Sequence, residues 1–252
     1  MPKISLCIET VFPELPLYDR IKKAADAEYK AVEFWDTSSV DVKKMAAAAA
    51  AANVSIVGCT LSEPRVYQLD RQSGPVIANV KKSIDIAKEL GVRNLIGLSS
   101  DLEGKQDSQK NILIENLKRI SDIAVKAGIN ILLEPLNSLV DHKGCYLDNS
   151  MVGFEIMKCV ACPNIKLLYD IYHMQIMEGN LIANITPNIG LVGHFHSASV
   201  PGRNEPMLGE TNYKVVLKKI DDLGYDRYVG LEYWPTYDHN KSIKDCLEYM
   251  QR

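Results

Sequence analysis

The fold can be predicted from the stretch Lys126-Ala127-Gly128-Ile129-Asn130-Ile131-Leu132-Leu133-Glu134. An amphipathic helix pattern ends at Ala127, and Gly128 follows at the position where a left-handed residue commonly closes a helix. The short apolar run Asn130–Leu133 then indicates a strand that is covered on both faces. Glu134 comes directly after this run, so the stretch predicts a helix–turn–strand unit that ends in an ionisable side chain.

The same unit recurs along the chain, with further helix–glycine junctions at Gly91 and Gly224. Short hydrophobic runs predict eight parallel strands at Ile4–Ile8, Ala31–Phe34, Ser55–Cys59, Asn94–Leu98, Asn130–Leu133, Lys166–Tyr169, Leu191–Phe195 and Tyr228–Leu231. Apolar residues at spacings of three and four predict helices at Leu17–Ala27, Val40–Ala52, Pro75–Leu90, Gln109–Ala127, Ser150–Val160, Asn180–Ile185, Tyr213–Leu223 and Lys241–Met250.

Eight strand–helix units without a polar linker favour one closed (β/α)₈ barrel, a TIM barrel, over a doubly wound sheet. We therefore expect a single domain over residues 1–252. A doubly wound nucleotide-binding sheet would usually have a glycine-rich phosphate turn after an early strand, and the sequence has none.

Composition narrows the function classes. The formal net charge of -3 and the pI near 6.0 argue against a general nucleic-acid binder, which needs a basic face. No run of 18 apolar residues supports a membrane span. The first residues lack the features of a signal peptide, so we expect a cytoplasmic protein. Cys159 and Cys162 have C-x-x-C spacing, but no second pair completes a zinc site, and reduced thiols are expected.

Four consecutive predicted strands end in a carboxylate or an imidazole, namely Glu134, Asp170, His196 and Glu232. Barrel enzymes place their catalytic groups where strands run into the following loops. A lone strand-end acid would usually be satisfied by a salt bridge, but four such groups in register favour coordination to a cation. Oxygen and nitrogen ligands suit Mn²⁺, Mg²⁺ or Co²⁺, with Zn²⁺ as a further option. We therefore predict one divalent metal on these four residues.

Polar residues on the following loops are candidates for substrate binding. His173 comes three residues after Asp170 and is expected on a loop above the metal, within reach of a sugar hydroxyl. Arg203 lies on a polar loop after strand 7, where a guanidinium could bind a carboxylate in bidentate fashion unless it is merely a solvated charge. Glu205 could orient Arg203.

Other residues near the strand ends remain open between a functional and a structural role. His194 shares its inward face with His196, so it is either a buried core histidine or a support for the site. His142 is either a surface loop residue or part of the pocket. Glu33 and Trp35 end strand 2 and are candidates for the pocket wall, although Trp35 could equally be core packing.

These motifs resemble the hydroxypyruvate isomerase-like group of the xylose isomerase-like TIM barrel superfamily, which also contains ketose 3-epimerases and apurinic endonucleases. The resemblance covers essentially the whole chain. It is most specific in the eleven residues Tyr169-Asp170-Ile171-Tyr172-His173-Met174-Gln175-Ile176-Met177-Glu178-Gly179, and is also dense in Leu133–Ser138, Val200–Pro206, Gly209–Tyr213 and Gly230–Tyr233.

The resemblance implies a metal-dependent isomerase. Glu134, Asp170, the residue at 196 and Glu232 would ligate the metal, and Glu134 and Glu232 would also be the proton-transferring catalytic pair. The implied reaction moves a proton between adjacent carbons of an α-hydroxycarbonyl compound through a cis-enediolate. The implied substrate is hydroxypyruvate, tartronate semialdehyde or a related 2-oxo sugar acid.

One departure leaves an alternative open. Isomerases of this group have Gln where this chain has His196, whereas the ketose 3-epimerases have His. The loop Asn137–Tyr146 instead looks isomerase-like, because it lacks a glutamate that the epimerases place shortly after their Glu-Pro-Leu-Asn. A ketose 3-epimerase of the tagatose or psicose type is therefore the alternative.

Two further classes are more distant. Apurinic endonuclease-like phosphodiesterases use a three-metal cluster with more ligands and basic loops, whereas this slightly acidic chain has five histidines. A catalytically silent sugar-binding subunit would not need an intact set of ligands. We expect a small sugar or sugar-acid as the partner, with no nucleic acid and no membrane, and the resemblance also allows a homo-oligomer.

Overall fold

The computed structural model describes residues 1–38, 40–62, 68–100 and 107–251. Its strands form a closed barrel in sequence order, with β1 paired in parallel to both β2 and β8. The predicted (β/α)₈ TIM barrel is therefore confirmed. The strands are β1 (Lys3–Cys7), β2 (Ala31–Glu33), β3 (Ser55–Thr60), β4 (Asn94–Gly97), β5 (Asn130–Leu133), β6 (Ile165–Asp170), β7 (Val192–Ser197) and β8 (Tyr228–Leu231).

Helices cover the outside of the barrel between the strands. In the described residues they are α1 (Leu17–Asp26), α2 (Val42–Ala52), α3 (Ser73–Leu90), α4 (Asp107–Ala127), α5 (Ser150–Val160), α6 (Ile171–Met177), α7 (Leu181–Ile185), α8 (Tyr213–Asp222) and α9 (His239–Met250). Each predicted helix is present with its ends displaced by two residues or fewer.

Local chemistry explains where these helices begin and end. The Asn149 side chain accepts hydrogen bonds from the backbone N–H groups of Met151 and Val152 at 2.9 and 3.2 Å, which caps α5. Gly91 follows α3 with a φ of 72°, and Gly128 follows α4 with a φ of 67°. These left-handed positions favour glycine, as the sequence pattern predicted.

Helix α6 is absent from the sequence prediction, which placed this segment on a loop. It begins directly at the end of β6, and the Asp170 carboxylate accepts a hydrogen bond from the Tyr172 N–H at 2.8 Å. Asp170 therefore caps α6 as well as ending β6. Because the helix has only seven residues and no intervening turn, periodicity gives little signal for it.

The core has two layers. Between the barrel and the helices, Phe154 of α5 stacks on Tyr169 of β6 with ring centroids 6.1 Å apart. Inside the barrel, Ile96, Leu132 and Leu168 form a small apolar cluster. His194 pairs in register with Leu168 and therefore faces the interior as well. The polar strand ends thus stand above an apolar floor.

Two further sequence expectations concern chemistry outside this core. All six cysteines are free thiols, including Cys159 and Cys162. Among the helices that the structure describes, none combines the length and apolarity needed to cross a membrane.

Replacing Phe154 by Ala should lower the free energy of unfolding by about 3–5 kcal/mol, because it leaves a cavity between α5 and β6. Urea denaturation measures this loss. Met151 lies on the same helix but is 45% exposed, so Met151→Ala is the matched control and should change stability by no more than about 0.5 kcal/mol. Equal effects of the two substitutions would contradict this view of the core.

Candidate active site

The four predicted metal ligands come together at the C-terminal end of the barrel. One ligand atom from each of Glu134, Asp170, His196 and Glu232 lies within 4.8 Å of the others. The Nδ1 atom of His196 lies 3.4 Å from Glu134 Oε1 and 3.5 Å from Glu232 Oε2. All four side chains are buried, so the cluster is a closely spaced set of oxygen and nitrogen donors.

Strand register produces this convergence. Asp170 and His196 are paired across β6 and β7, so their side chains leave the sheet at the same height. Glu134 and Glu232 come one residue after β5 and β8, and their N–H groups bond to Gly97 O and Ser197 O at 3.1 Å each. The backbone ladder therefore continues to the residues that carry the carboxylates, which fixes their positions.

The three carboxylates repel one another in this buried setting. Burial raises the pKa of Asp170 to about 7, and Glu134 and Glu232 add to the increase, although Arg203 and His196 act against it. Burial also opposes ionisation of Glu232, but His196 and Arg203 hold the pKa of Glu232 well below its usual range. The cluster thus depends on nearby positive charge.

The donor set fits a divalent cation. Glu134 Oε1 and both ring nitrogens of His196 are buried and lack a hydrogen-bond partner among the described residues. Burial lowers the pKa of His196, but the stronger combined influence of Glu232, Glu33 and Glu134 raises it well above its ordinary value. A divalent cation would supply positive charge to the cluster and could bind Glu134 Oε1 and the His196 Nδ1 that faces it.

Arg203 lies at the mouth of the cluster. Its guanidinium donates to the Glu232 carboxylate and lies 3.8 Å from Asp170 Oδ2. It also stacks 5.1 Å from the centroid of the Tyr172 ring. The structure therefore places Arg203 in the site rather than in solvent.

His173 lies on α6 and not on the loop expected from the sequence, because Asp170 starts the helix directly after β6. Its Nδ1 accepts hydrogen bonds from the backbone and side-chain N–H groups of Asn137 at 3.2 and 2.7 Å. Burial, reinforced by Arg203, lowers the pKa of His173 well below its usual value. The neutral ring therefore carries its proton on Nε2, which lies 3.4 Å from Asp170 Oδ2.

Glu205 does not orient Arg203, and this expectation is corrected. The Glu205 carboxylate is fully buried and accepts hydrogen bonds from the N–H and hydroxyl groups of Thr236, both at 2.9 Å. It also accepts one from the Ser242 hydroxyl at 2.7 Å. Because α9 and the loop before it satisfy this carboxylate, Glu205 fastens the loop after β7 to α9 and lies outside the substrate pocket.

A cavity of about 310 Å³ opens above the cluster. Three of the four cluster residues line it, together with His173, Arg203 and the earlier candidates Trp35 and His142. The Trp35 indole N–H donates to Glu232 Oε1 at 2.5 Å, so Trp35 belongs to the site as well as to its wall. Sequence reasoning missed the other lining residues, since apolar and hydroxyl strand ends look like core: Thr60, Ile96, Leu98 and Leu136.

A second buried cluster lies next to the first. Glu33 is the last residue of β2. Its Oε2 atom lies 2.7 Å from His194 Nε2, and its Oε1 atom lies 3.5 Å from His196 Nε2. Burial opposes ionisation of Glu33, yet the two imidazoles lower its pKa to about 2. The sequence signals for this arrangement are the alternation of His194 and His196 on one strand and the position of Glu33 at the end of strand 2.

Comparison with known proteins identifies relatives that share the barrel fold or are named isomerases. The family model described as xylose isomerase-like TIM barrel matches residues 21–252. A putative hydroxypyruvate isomerase from Xenopus laevis is 31% identical, over 99% of this chain and 96% of that protein. A 2-oxo-tetronate isomerase from Haemophilus influenzae is 33% identical, over 93% of this chain and 94% of that protein.

Solved structures share the architecture. One from Brucella melitensis, described as an AP endonuclease of family 2, superposes with a TM-score of 0.92 at 28% identity and covers 99% of both chains. An L-ribulose 3-epimerase superposes with a TM-score of 0.82 over 100% of this chain and 94% of its own, but at 18% identity the likeness shows the fold alone.

A divalent cation should stabilise this protein, because it relieves repulsion among buried carboxylates. Mn²⁺ at 100 times its dissociation constant should add about 2.7 kcal/mol, equivalent to a rise in Tm of roughly 5–10 °C. Asp170→Asn should remove most of this rise, whereas Glu155→Gln, at an exposed pair with Lys110, should keep it. Scanning calorimetry with and without Mn²⁺ measures the shifts, and the same rise in Asp170→Asn would contradict this assignment.

Proposed function

We propose a specific reaction for this chain, which belongs to the xylose isomerase-like TIM barrel family and is an enzyme of the isomerase or epimerase type. It isomerises a small 2-oxo acid that has a hydroxyl on the carbon next to the carbonyl, by moving a proton between these two carbons. Hydroxypyruvate, tartronate semialdehyde and their four-carbon relatives are the substrates that best match the site.

The observation that carries this proposal is the convergence of two carboxylates on one point below the cavity. Glu134 and Glu232 come from β5 and β8, and each lies within 3.5 Å of His196 Nδ1. A substrate seated between them exposes its reacting carbons to two separate proton acceptors. Proton transfer between adjacent carbons needs such groups close to both.

Glu134, Asp170, His196 and Glu232 would hold one divalent cation, with Mn²⁺, Mg²⁺ or Co²⁺ favoured by the ligand types and Zn²⁺ also compatible. When bound, the cation supplies Lewis-acid polarisation of a carbonyl and so acidifies the neighbouring C–H bond. Glu134 would hold the cation through its buried Oε1 and also lines the cavity, so its second carboxylate oxygen is suited to accept that proton. Trp35 and Arg203 donate hydrogen bonds to Glu232 and favour its ionised form. Glu232 exchanges a proton with the second of the two reacting carbons.

The remaining polar groups of the pocket position the substrate. The His173 Nε2–H donates to a substrate hydroxyl, because its other nitrogen already accepts from Asn137. Arg203 binds the substrate carboxylate through the N–H groups of its guanidinium that do not donate to Glu232. The apolar wall around Ile96 and Leu98 excludes water from the reacting carbons.

Two observations bear on the alternatives. His196 is the residue that the ketose 3-epimerases carry, and two facing carboxylates also serve epimerisation at C3, so epimerase activity on ketoses is the second candidate.

Phosphodiester cleavage, which the description of the Brucella neighbour suggests, is disfavoured. A cavity of about 310 Å³ with acidic walls and a net charge of -3 suits a small molecule better than a DNA backbone.

Glu134→Gln and Glu232→Gln should each lower turnover by roughly 10²- to 10⁴-fold, since each removes one proton-transferring group. The assay follows solvent deuterium incorporation by NMR in D₂O, with metal-loaded enzyme and a panel of hydroxypyruvate, four-carbon 2-oxo acids, ketopentoses and ketohexoses. Circular dichroism checks that both variants fold. Near-normal exchange in either variant would refute its assigned role, and exchange confined to ketoses would favour the epimerase.

Arg203→Ala should reduce kcat/KM for a carboxylated substrate roughly 10- to 150-fold more than for a neutral ketose, because it removes a charge-assisted hydrogen bond to the carboxylate. The measurement is the ratio of kcat/KM values for the two substrate types. Arg203→Lys serves as the control, since it keeps the charge but loses the bidentate geometry. Its ratio of kcat/KM values should lie between those of wild type and Arg203→Ala. Equal losses for both substrate types would exclude the carboxylate contact.

A further inference from the structure

Two imidazoles in the barrel interior, those of His194 and His196, face the same carboxylate, that of Glu33. Glu33 reaches from the end of β2 towards β7, where His194 and His196 face the interior on alternate residues. Its Oε2 atom lies 2.7 Å from His194 Nε2, and its Oε1 atom lies 3.5 Å from His196 Nε2. Glu33 is 2% exposed, so its carboxylate is shielded from bulk solvent.

The His196 ring therefore stands between two acidic groups. Its Nδ1 faces Glu134 and Glu232 at the proposed cation site, and its Nε2 faces Glu33. A neutral imidazole has one N–H and one lone pair, and a metal binds the lone pair. A proton on Nε2 would pair with Glu33 and leave Nδ1 bare for the cation.

We infer that Glu33 is a positioning residue, which holds His196 with its Nδ1 lone pair directed at the cation. The inference rests on the proposed cation site and deepens it. Glu33 acts through the imidazole: its Oε1 and the His196 Nε2 are both buried, lack a hydrogen-bond partner among the described residues and face each other at 3.5 Å. It has no contact with substrate in this role. A carboxylate behind a ligating histidine fixes both the tautomer and the plane of the ring, and it makes the ring a stronger donor.

The packing of β8 permits this contact. A Cβ atom built on Gly230 would lie 1.8 Å from Glu33 Oε1 and 2.8 Å from His196 Cδ2. Any side chain there would separate the carboxylate from the ring, so glycine is required for close approach. The other carboxylate oxygen of Glu33, Oε2, is hydrogen-bonded to His194 Nε2. The His194 ring packs edge-on against His196, with 5.1 Å between the ring centroids. Glu33 is therefore fixed in one orientation.

The first experiment measures Mn²⁺ affinity by isothermal titration calorimetry and the visible absorption of bound Co²⁺. Glu33→Gln is nearly isosteric and should weaken Mn²⁺ binding by roughly 10- to 100-fold, with a changed Co²⁺ spectrum. Glu205→Gln is the matched control, because it alters another fully buried carboxylate at the same end of the barrel that bonds to Thr236 and Ser242. It should leave both readouts within about twofold of wild type.

A double-mutant cycle separates positioning from a general structural role. His196→Gln keeps a ligand oxygen but removes the imidazole through which Glu33 acts. In that background, Glu33→Gln should weaken Mn²⁺ binding by less than about threefold, because interaction energies appear only between coupled residues. The same loss in both backgrounds would show that Glu33 acts through the fold and would overturn the inference.

A measurement on the wild-type protein does not depend on how the variants fold. With Zn²⁺ bound, ¹⁵N NMR should show the His196 proton on Nε2, whereas a proton on Nδ1 would overturn the inference. Binding of two Mn²⁺ ions, with one lost in Glu33→Gln, would instead make Glu33 a ligand and also overturn it. If wild type binds no divalent cation, the proposed cation site fails together with this inference. If Mn²⁺ binds tightly to wild type and equally tightly to Glu33→Gln, the cation site stands and only the role of Glu33 is overturned.

Discussion

Mutual repulsion among three buried carboxylates is the constraint around which this site is organised. Glu134, Asp170 and Glu232 meet in buried positions below the cavity, and an unpaired buried charge there would be costly. Arg203 supplies positive charge, the neighbouring carboxylates raise the pKa of His196, and Trp35 donates a hydrogen bond to Glu232. In the proposed function, cation binding, proton transfer and substrate orientation would all depend on this excess of negative charge.

The barrel converts this constraint into geometry through strand register. Asp170 and His196 are neighbours in the sheet, and the backbone ladder extends to the residues that follow β5 and β8. An apolar floor of Ile96, Leu132 and Leu168 lies below, so the polar groups are confined to one end. The exception is the buried pair of Glu33 and His194, which are hydrogen-bonded to one another.

The strand–helix repeat and the four strand-end ligands could be predicted because each depends on local sequence: apolar runs, helix-closing glycines and an ionisable residue after each run. Helix α6 could not, because Asp170 ends a strand and caps a helix with no turn between them. The partners of Glu205 lie 31 and 37 residues away in sequence, beyond the reach of local patterns. The contact of Glu33 with β7 likewise depends on barrel closure, which brings residues 161 positions apart together.

The two halves of the barrel contribute different parts of the site, and this division affects how such an enzyme can diversify. The proposed acid–base groups and ligands follow β5 to β8, whereas much of the cavity wall comes from Thr60, Ile96 and Leu98 on the opposite half. Substitutions on that wall would alter the shape and length of substrate that fits while leaving the charged constellation in place. Descendants of one ancestral barrel could in this way inherit a common proton-transfer apparatus and differ in the molecules they accept.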